Sequence, residues 1–139
     1  MRSSSKITER YREVIRGIGV DVVELARISE VVEKWGDRFL RKVFTDGELS
    51  YARSKKFPIH HIAGRFAAKE AVAKALATGW SGGFRWKDVE VKNDASGKPA
   101  IELHGDVREL FATSNILVSI SHSETVVVAA AVIESPHAS

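Results

Sequence analysis

No cysteine occurs among the 139 residues of this sequence, which excludes disulfides and thiolate metal sites and fits a reducing cytoplasm. No apolar run approaches the length of a membrane span. The polar opening, Met1–Arg12, lacks the apolar core that a secretory signal needs. A Walker A loop, a dinucleotide GxGxxG and an HExxH helix are all missing, and Gly17-Ile18-Gly19 lies inside a strand pattern, a poor place for a phosphate loop. Charge of one sign is modest: the net charge of +3 implies a mild preference for acidic partners and no more. No basic–aromatic alternation marks a base-stacking surface, so nucleic-acid binding is disfavoured. What is present has the size and composition of one globular domain with a real core, with residues 1–13 as a polar N-terminal extension and 14–135 as the domain.

The densest stretch is Arg65–Gly79, rich in alanine and leucine, the best helix formers. Gly79 stands where a helix end wants a residue tolerant of positive φ. The stretch is nearly apolar all round, the pattern of a buried helix, yet it carries Arg65, Lys69, Glu70 and Lys74. Glu70 and Lys74 are one turn apart and share a face with Phe66, Ala67, Ala73 and Ala77. An i,i+4 Glu→Lys pair is commonly plain helix reinforcement. A second acid in an equally odd setting shifts the balance toward chemistry. In Gly17-Ile18-Gly19-Val20-Asp21-Val22-Val23, Ile18, Val20 and Val22 share one strand face and Gly17, Gly19 and Asp21 the other. Glycines inside a strand mark close approach of another backbone or a ligand. Asp21 is either an acid on a cleared strand face or an N-cap for the helix that follows.

That helix is predicted over Glu24–Trp35, with Ile28, Val31, Val32 and Trp35 as its apolar stripe. A second apolar set, Phe39, Leu40, Val43 and Phe44, follows Gly36. Thr45-x-x-Glu48 is a capping-box pattern that starts another helix near Asp46 and ends it around Lys55–Phe57. Pro58 suits the first turn of the long helix. After the loop Ser81-Gly82-Gly83 come strands at Trp86–Lys92 and Pro99–His104, forming a hairpin, and a short helix, Asp106–Ala112, with Val107, Leu110 and Phe111 inward. Apolar strands at Ile116–Ser121 and Thr125–Ile133 close the chain. The order is α+β: a mainly antiparallel sheet packed against a long buried helix and shorter helices.

Two acids in apolar or glycine-rich surroundings make sense around a hard cation. Mg²⁺ takes one or two carboxylates and completes its shell with waters and phosphate oxygens. Lys74, Arg65, Lys69 and Lys98 are available to complement phosphates. His122 sits at a strand end in Ser119-Ile120-Ser121-His122-Ser123, where flanking hydroxyls favour a polar pocket.

Gly17–Glu24, the run Arg65-Phe66-Ala67-Ala68-Lys69-Glu70-Ala71 with Lys74, Gly97-Lys98-Pro99 and Ser119–Ser123, in this order and spacing, resemble the holo-[acyl-carrier-protein] synthases, the short-chain 4′-phosphopantetheinyl transferases. The likeness covers Ile15 to Ile133. It departs at Ala77, where the family often has glycine, and in about a dozen extra residues before the first strand. The resemblance implies the 4′-phosphopantetheinyl transferase fold and transfer of the phosphopantetheinyl arm of coenzyme A to a serine of apo-acyl carrier protein in fatty acid biosynthesis. Adenosine 3′,5′-bisphosphate is the implied by-product. By position it implies Asp21 and Glu70 as Mg²⁺ ligands, Glu70 as base, directly or through water, and Lys74 near the bridging phosphate. Arg65, Lys74, His122 and Ser123 become the coenzyme A contacts. Arg27 and the basic residues after it, Lys34, Arg38, Arg41 and Lys42, become the docking surface for the carrier protein. The implied assembly is a homotrimer with sites shared between neighbours. The competing class is a non-catalytic trimeric module that holds a nucleotide or an acidic protein; the presence of both Asp21 and Glu70 argues for the enzyme.

Overall fold

In a computed structural model that describes residues 11–77 and 85–138, the chain forms a three-stranded antiparallel sheet clasping one long helix. Strand β1 (Tyr11–Glu24) pairs with β5 (Val126–Ala138), and β5 pairs on its other edge with β4 (Asn115–His122). A separate hairpin joins β2 (Val89–Asn93) to β3 (Pro99–Leu103). Between β1 and this hairpin lie α1 (Leu25–Trp35), α2 (Asp37–Val43), α3 (Asp46–Arg53) and α4 (Pro58–Leu76). A short helix, α5 (Gly105–Leu110), connects β3 to β4. Among the described residues, no helix is long and apolar enough to cross a membrane.

The core forms where α4 lies on the sheet. Ala63, Ala67, Ala68, Ala71 and Ala75 are fully or almost fully buried and small enough to let the helix approach closely. Beneath them are Val127, Ala129, Ala131 and Ile133 of β5. The cleared face of β1 also lies close against the helix. A Cβ on Gly17 would sit 2.0 Å from the Ala75 carbonyl oxygen, and one on Gly19 would sit 1.9 Å from that of Ala71. The glycines therefore admit another backbone. Alternation turns Ile18, Val20 and Val22 to the opposite face, where they are 65%, 50% and 59% exposed.

Local chemistry sets the helix starts. The Thr45 side chain accepts from Glu48 N and the Glu48 side chain accepts from Thr45 N, the reciprocal capping box the sequence predicts. Pro58 occupies the first turn of α4. Gly36, at φ 52°, separates α1 from α2.

Several details differ from expectation. β1 begins at Tyr11 because β5 runs on to Ala138 and gives it a partner. α3 ends at Arg53, short of Lys55–Phe57. Trp86–Asp88 is a 3₁₀ turn rather than strand, its Trp86 carbonyl bent toward the Lys69 ammonium. Trp35 and Leu110, read as inward, are 48% and 55% exposed. Each is the last residue of its helix. Gly79 and the Ser81-Gly82-Gly83 loop lie outside the described residues, as does most of the predicted N-terminal extension.

Candidate active site

Asp21 does not cap α1, whose N-cap is Glu24. It lies within β1 opposite Ala129, on the face that meets α4. Its side chain is 13% exposed. Lys74, one turn beyond Glu70 on α4, donates from Nζ to Asp21 Oδ1 at 3.1 Å and to the Val20 carbonyl at 3.0 Å. The ammonium is therefore a strap from helix to strand rather than an intrahelical partner. Asp21 and Glu70 line one cavity of about 510 Å³, with Arg27 and Ile28 of α1, Phe39 of α2 and Phe66 of α4.

The electrostatics explain why an acid survives there. Partial burial pushes the Glu70 carboxyl above its usual range, and the Asp21 charge and a hydrogen bond with Asp21 push the same way. Lys74 and Arg27 pull against that rise without cancelling it. Two facing carboxylates form an all-oxygen donor set, the kind a hard divalent cation prefers, and a cation would relieve their mutual repulsion. The residues thus fit Mg²⁺.

A second cavity, of about 1000 Å³, opens at the N-terminal end of α4. It is lined by Lys55, Lys56, His60, His61, His122 and Ser123, and also by Glu124. The His60 and His122 rings lie 5.9 Å apart. Burial holds His61 below its ordinary pKa, helped by the positive charge of Arg65 and Lys55 and by the two neighbouring imidazoles. Ser123 Oγ accepts from Thr125 N and Val126 N, each at 3.3 Å, and fixes the turn that presents His122. Arg65 is one layer further in. It is 4% exposed, stacks 4.1 Å from the Tyr51 ring centre, and donates to Asn93 Oδ1 at 2.6 Å. The sequence reading missed His60 and His61; a histidine pair following Lys55-Lys56 at a helix start was the available signal.

Lys69 is not free to meet a phosphate, contrary to expectation. It has no exposed surface and is paired with Glu48 at 2.8 Å. Lys98 sits exposed at the β2–β3 turn, its backbone N–H donating to Asp94. Arg27, Lys34, Arg38, Arg41 and Lys42 all lie exposed on α1 and α2. Lys34 stands 5.2 Å over the Trp35 ring, and Arg41 pairs loosely with Asp37. A further group of ligand-type atoms, on Glu90, Glu102 and His104, falls within 4.8 Å. There Glu90 is already bonded to Thr45 and His104, and Glu102 to Lys92.

Comparison with known proteins identifies the family. The family model for the 4′-phosphopantetheinyl transferase superfamily matches residues 17–131. A holo-[acyl-carrier-protein] synthase of Protochlamydia amoebophila is 52% identical over 106 residues, covering 76% of this chain and 87% of the relative. The crystal structure of the Neisseria meningitidis synthase superposes with a TM-score of 0.80 at 34% identity, over 88% of this chain and all of that one. The Bacillus anthracis synthase, solved in complex with coenzyme A (3′,5′-ADP), gives 0.72 at 37% identity, over 87% and 97%. The chain belongs to the 4′-phosphopantetheinyl transferase superfamily and, within it, to the holo-[acyl-carrier-protein] synthases.

Proposed function

We propose that this chain transfers the 4′-phosphopantetheine arm of coenzyme A to a serine hydroxyl of apo-acyl carrier protein, releasing adenosine 3′,5′-bisphosphate. The setting is fatty acid biosynthesis in the cytoplasm. The observation that carries this reading is the convergence of Asp21 from β1 and Glu70 from α4 on one cavity, strapped together by Lys74. Asp21 and Glu70 would hold Mg²⁺. The chemistry that ion supplies when bound is neutralisation of pyrophosphate charge.

The chain's own residues account for the other needs. Glu70, with its basicity raised by burial and by Asp21, accepts the serine proton directly or through a water. The serine oxygen then bonds to the phosphorus on the pantetheine side, and the bond from that phosphorus to the bridging oxygen breaks. Lys74 stabilises the negative charge that gathers on the bridging oxygen. His122, Ser123 and the cationic wall of Lys55 and Lys56, with Arg65 behind it, take the nucleotide end. Arg27, Lys34, Arg38, Arg41 and Lys42 steer the acidic carrier protein. The exposed apolar face of β1, with Ile18, Val20 and Val22, continues onto Leu117 of β4 and favours a closed homotrimer with that face inside.

The test is mass spectrometry of apo-carrier protein incubated with this protein, coenzyme A and Mg²⁺. The carrier should gain the mass of one phosphopantetheine with the wild type and none with Glu70→Gln. An unchanged carrier mass with the wild type would reduce the protein to a binding module. Full transfer by Glu70→Gln would reject Glu70 as both ligand and base.

A further inference from the structure

Next to Glu70 in sequence, and turned about 100° away around the helix, is a lysine with no exposed surface. Its three ammonium hydrogens are all used. Lys69 Nζ meets Glu48 Oε1 at 2.8 Å and donates to the Trp86 carbonyl at 2.9 Å and to the Val89 carbonyl at 2.5 Å. Glu48 is equally saturated. Its Oε1 also accepts from Thr45 N at 2.9 Å, and its Oε2 accepts from Val91 N at 2.9 Å. Thr45 Oγ1 accepts from Glu48 N and donates to Glu90 Oε2 at 2.7 Å, and Glu90 Oε1 meets His104 Nε2 at 2.9 Å. One polar chain thus runs from His104, through Glu90, Thr45 and Glu48, to Lys69 in the middle of α4.

As a source of stability this is a poor arrangement. A buried ion pair roughly breaks even against a well-packed apolar pair, and its best-attested use is to fix register. Register is what the neighbouring site needs. The glycine face of β1 sets how near α4 lies to the strand, but backbone contact alone does not fix the helix's rotation; the Lys74 strap to Asp21 runs through a half-exposed side chain, and the Arg65–Asn93 bond is a single contact one turn away. Around a helix whose side-chain envelope is about 10–12 Å across, a turn of about 10° carries a carboxylate through about 1 Å. Metal–oxygen distances tolerate only about 0.2 Å. A point contact with three directional bonds to α3, the 3₁₀ turn and β2 resists that rotation.

We infer that Lys69 and Glu48 are positioning residues, a buried rotational bolt that holds α4 so that Glu70 faces Asp21 at the distance a shared divalent cation requires. The inference rests on the reading of Asp21 and Glu70 as a cation site. The probe is Mn²⁺ alone, its affinity measured by electron paramagnetic resonance on the full chain, with folding checked by circular dichroism. Three variants are compared with the wild type: Glu70→Gln, Glu48→Gln, and the apolar replacement Glu48→Leu with Lys69→Met. Glu70→Gln should abolish binding. The apolar pair should remain folded yet lose about 10-fold in affinity, the lower end of what loss of a supporting partner costs a metal site, and Glu48→Gln should lose less. A merely structural role lowers the number of folded molecules and leaves the affinity of each unchanged. Wild-type affinity in folded Glu48→Leu/Lys69→Met overturns the bolt. If the apolar pair does not fold, wild-type affinity in Glu48→Gln overturns it. Loss in Glu70→Gln together with either result leaves the cation site standing, whereas unchanged Mn²⁺ binding by Glu70→Gln removes the site and the bolt together.

Discussion

Gly19→Ala tests the close approach of β1 to α4. The added methyl would begin 1.9 Å from the Ala71 carbonyl oxygen and 2.9 Å from Ala75 N, where real Cβ atoms essentially never come within 3.0 Å. Both obstacles are backbone, so no side chain can swing aside. Either α4 retreats, opening the first contact from 1.9 to at least 3.0 Å, or β1 bends away. Overpacking a core usually costs about 1–3 kcal/mol; a methyl driven into backbone that cannot swing aside belongs at the top of that range. With a urea dependence of about 1–3 kcal/mol per molar, a cost of about 3 kcal/mol lowers the unfolding midpoint by about 1 M or more. The same retreat separates Glu70 on α4 from Asp21 on β1 by about 1 Å, a displacement that can cost roughly 10²-fold in rate.

The control lies on the same helix. A Cβ on Gly64 would meet only Ile120 Cγ2 at 3.5 Å and Val127 Cγ1 at 4.0 Å, ordinary contacts. Gly64→Ala should therefore stabilise by up to about 1 kcal/mol through helix propensity and keep its activity. The assays are urea denaturation at fixed protein concentration and carrier-protein modification followed by mass. A wild-type midpoint and rate in Gly19→Ala would refute the close-approach account. So would a Gly64→Ala variant as damaged as Gly19→Ala.

Three other outcomes are expected. Because the folded protein holds the Glu70 pKa above its unfolded value, the folded state binds the extra proton, and this group's contribution to stability falls as pH rises through that window; Glu70→Gln should raise the metal-free melting temperature at neutral pH and abolish the further rise that Mg²⁺ gives the wild type. Ile18→Lys, on the exposed apolar face of β1, should convert a trimer mass to a monomer mass in sedimentation equilibrium, and a wild type that is monomeric at micromolar concentration would end the trimer proposal. Arg27→Ala should raise the KM for carrier protein more than that for coenzyme A at low salt, and Arg38→Ala should do so less, with both effects shrinking at high salt; an unchanged carrier KM in Arg27→Ala would move the docking surface off α1.

What the sequence made legible was mostly local or periodic. The Thr45–Glu48 capping box and the proline in the first turn of α4 involve residues a few positions apart, and both stand as read. The alternation of Gly17, Gly19 and Asp21 against Ile18, Val20 and Val22 also stands, because a period of two needs no knowledge of the partner. Periodicity does not say what covers a face. Leu110 and Trp35 carry the right pattern, yet both are exposed. Charge shows the same limit. Lys69 in sequence is one more cation beside Glu70; its partner lies 21 positions away and the carbonyls it satisfies lie further on, at Trp86 and Val89.

The limit is instructive at Glu48. As a capping residue it needs only its own turn, and its capping role was complete on the page of sequence. In the fold the same carboxylate also receives Lys69 and the Val91 N–H, so a group identified as a local helix signal joins α3, β2 and α4. Asp21 shows the converse: a residue equally suited to capping that does not cap, because Glu24 takes that position and leaves the acid on the strand face. In both cases propensity identifies a capable side chain, and tertiary packing decides its use. The proposed cation site therefore depends on contacts of two ranges. Asp21 and Glu70 come from motifs readable one at a time. On the proposed reading the distance between them is set by glycines against a helix backbone on one side and by the buried Lys69 on the other, neither of which would itself be a ligand.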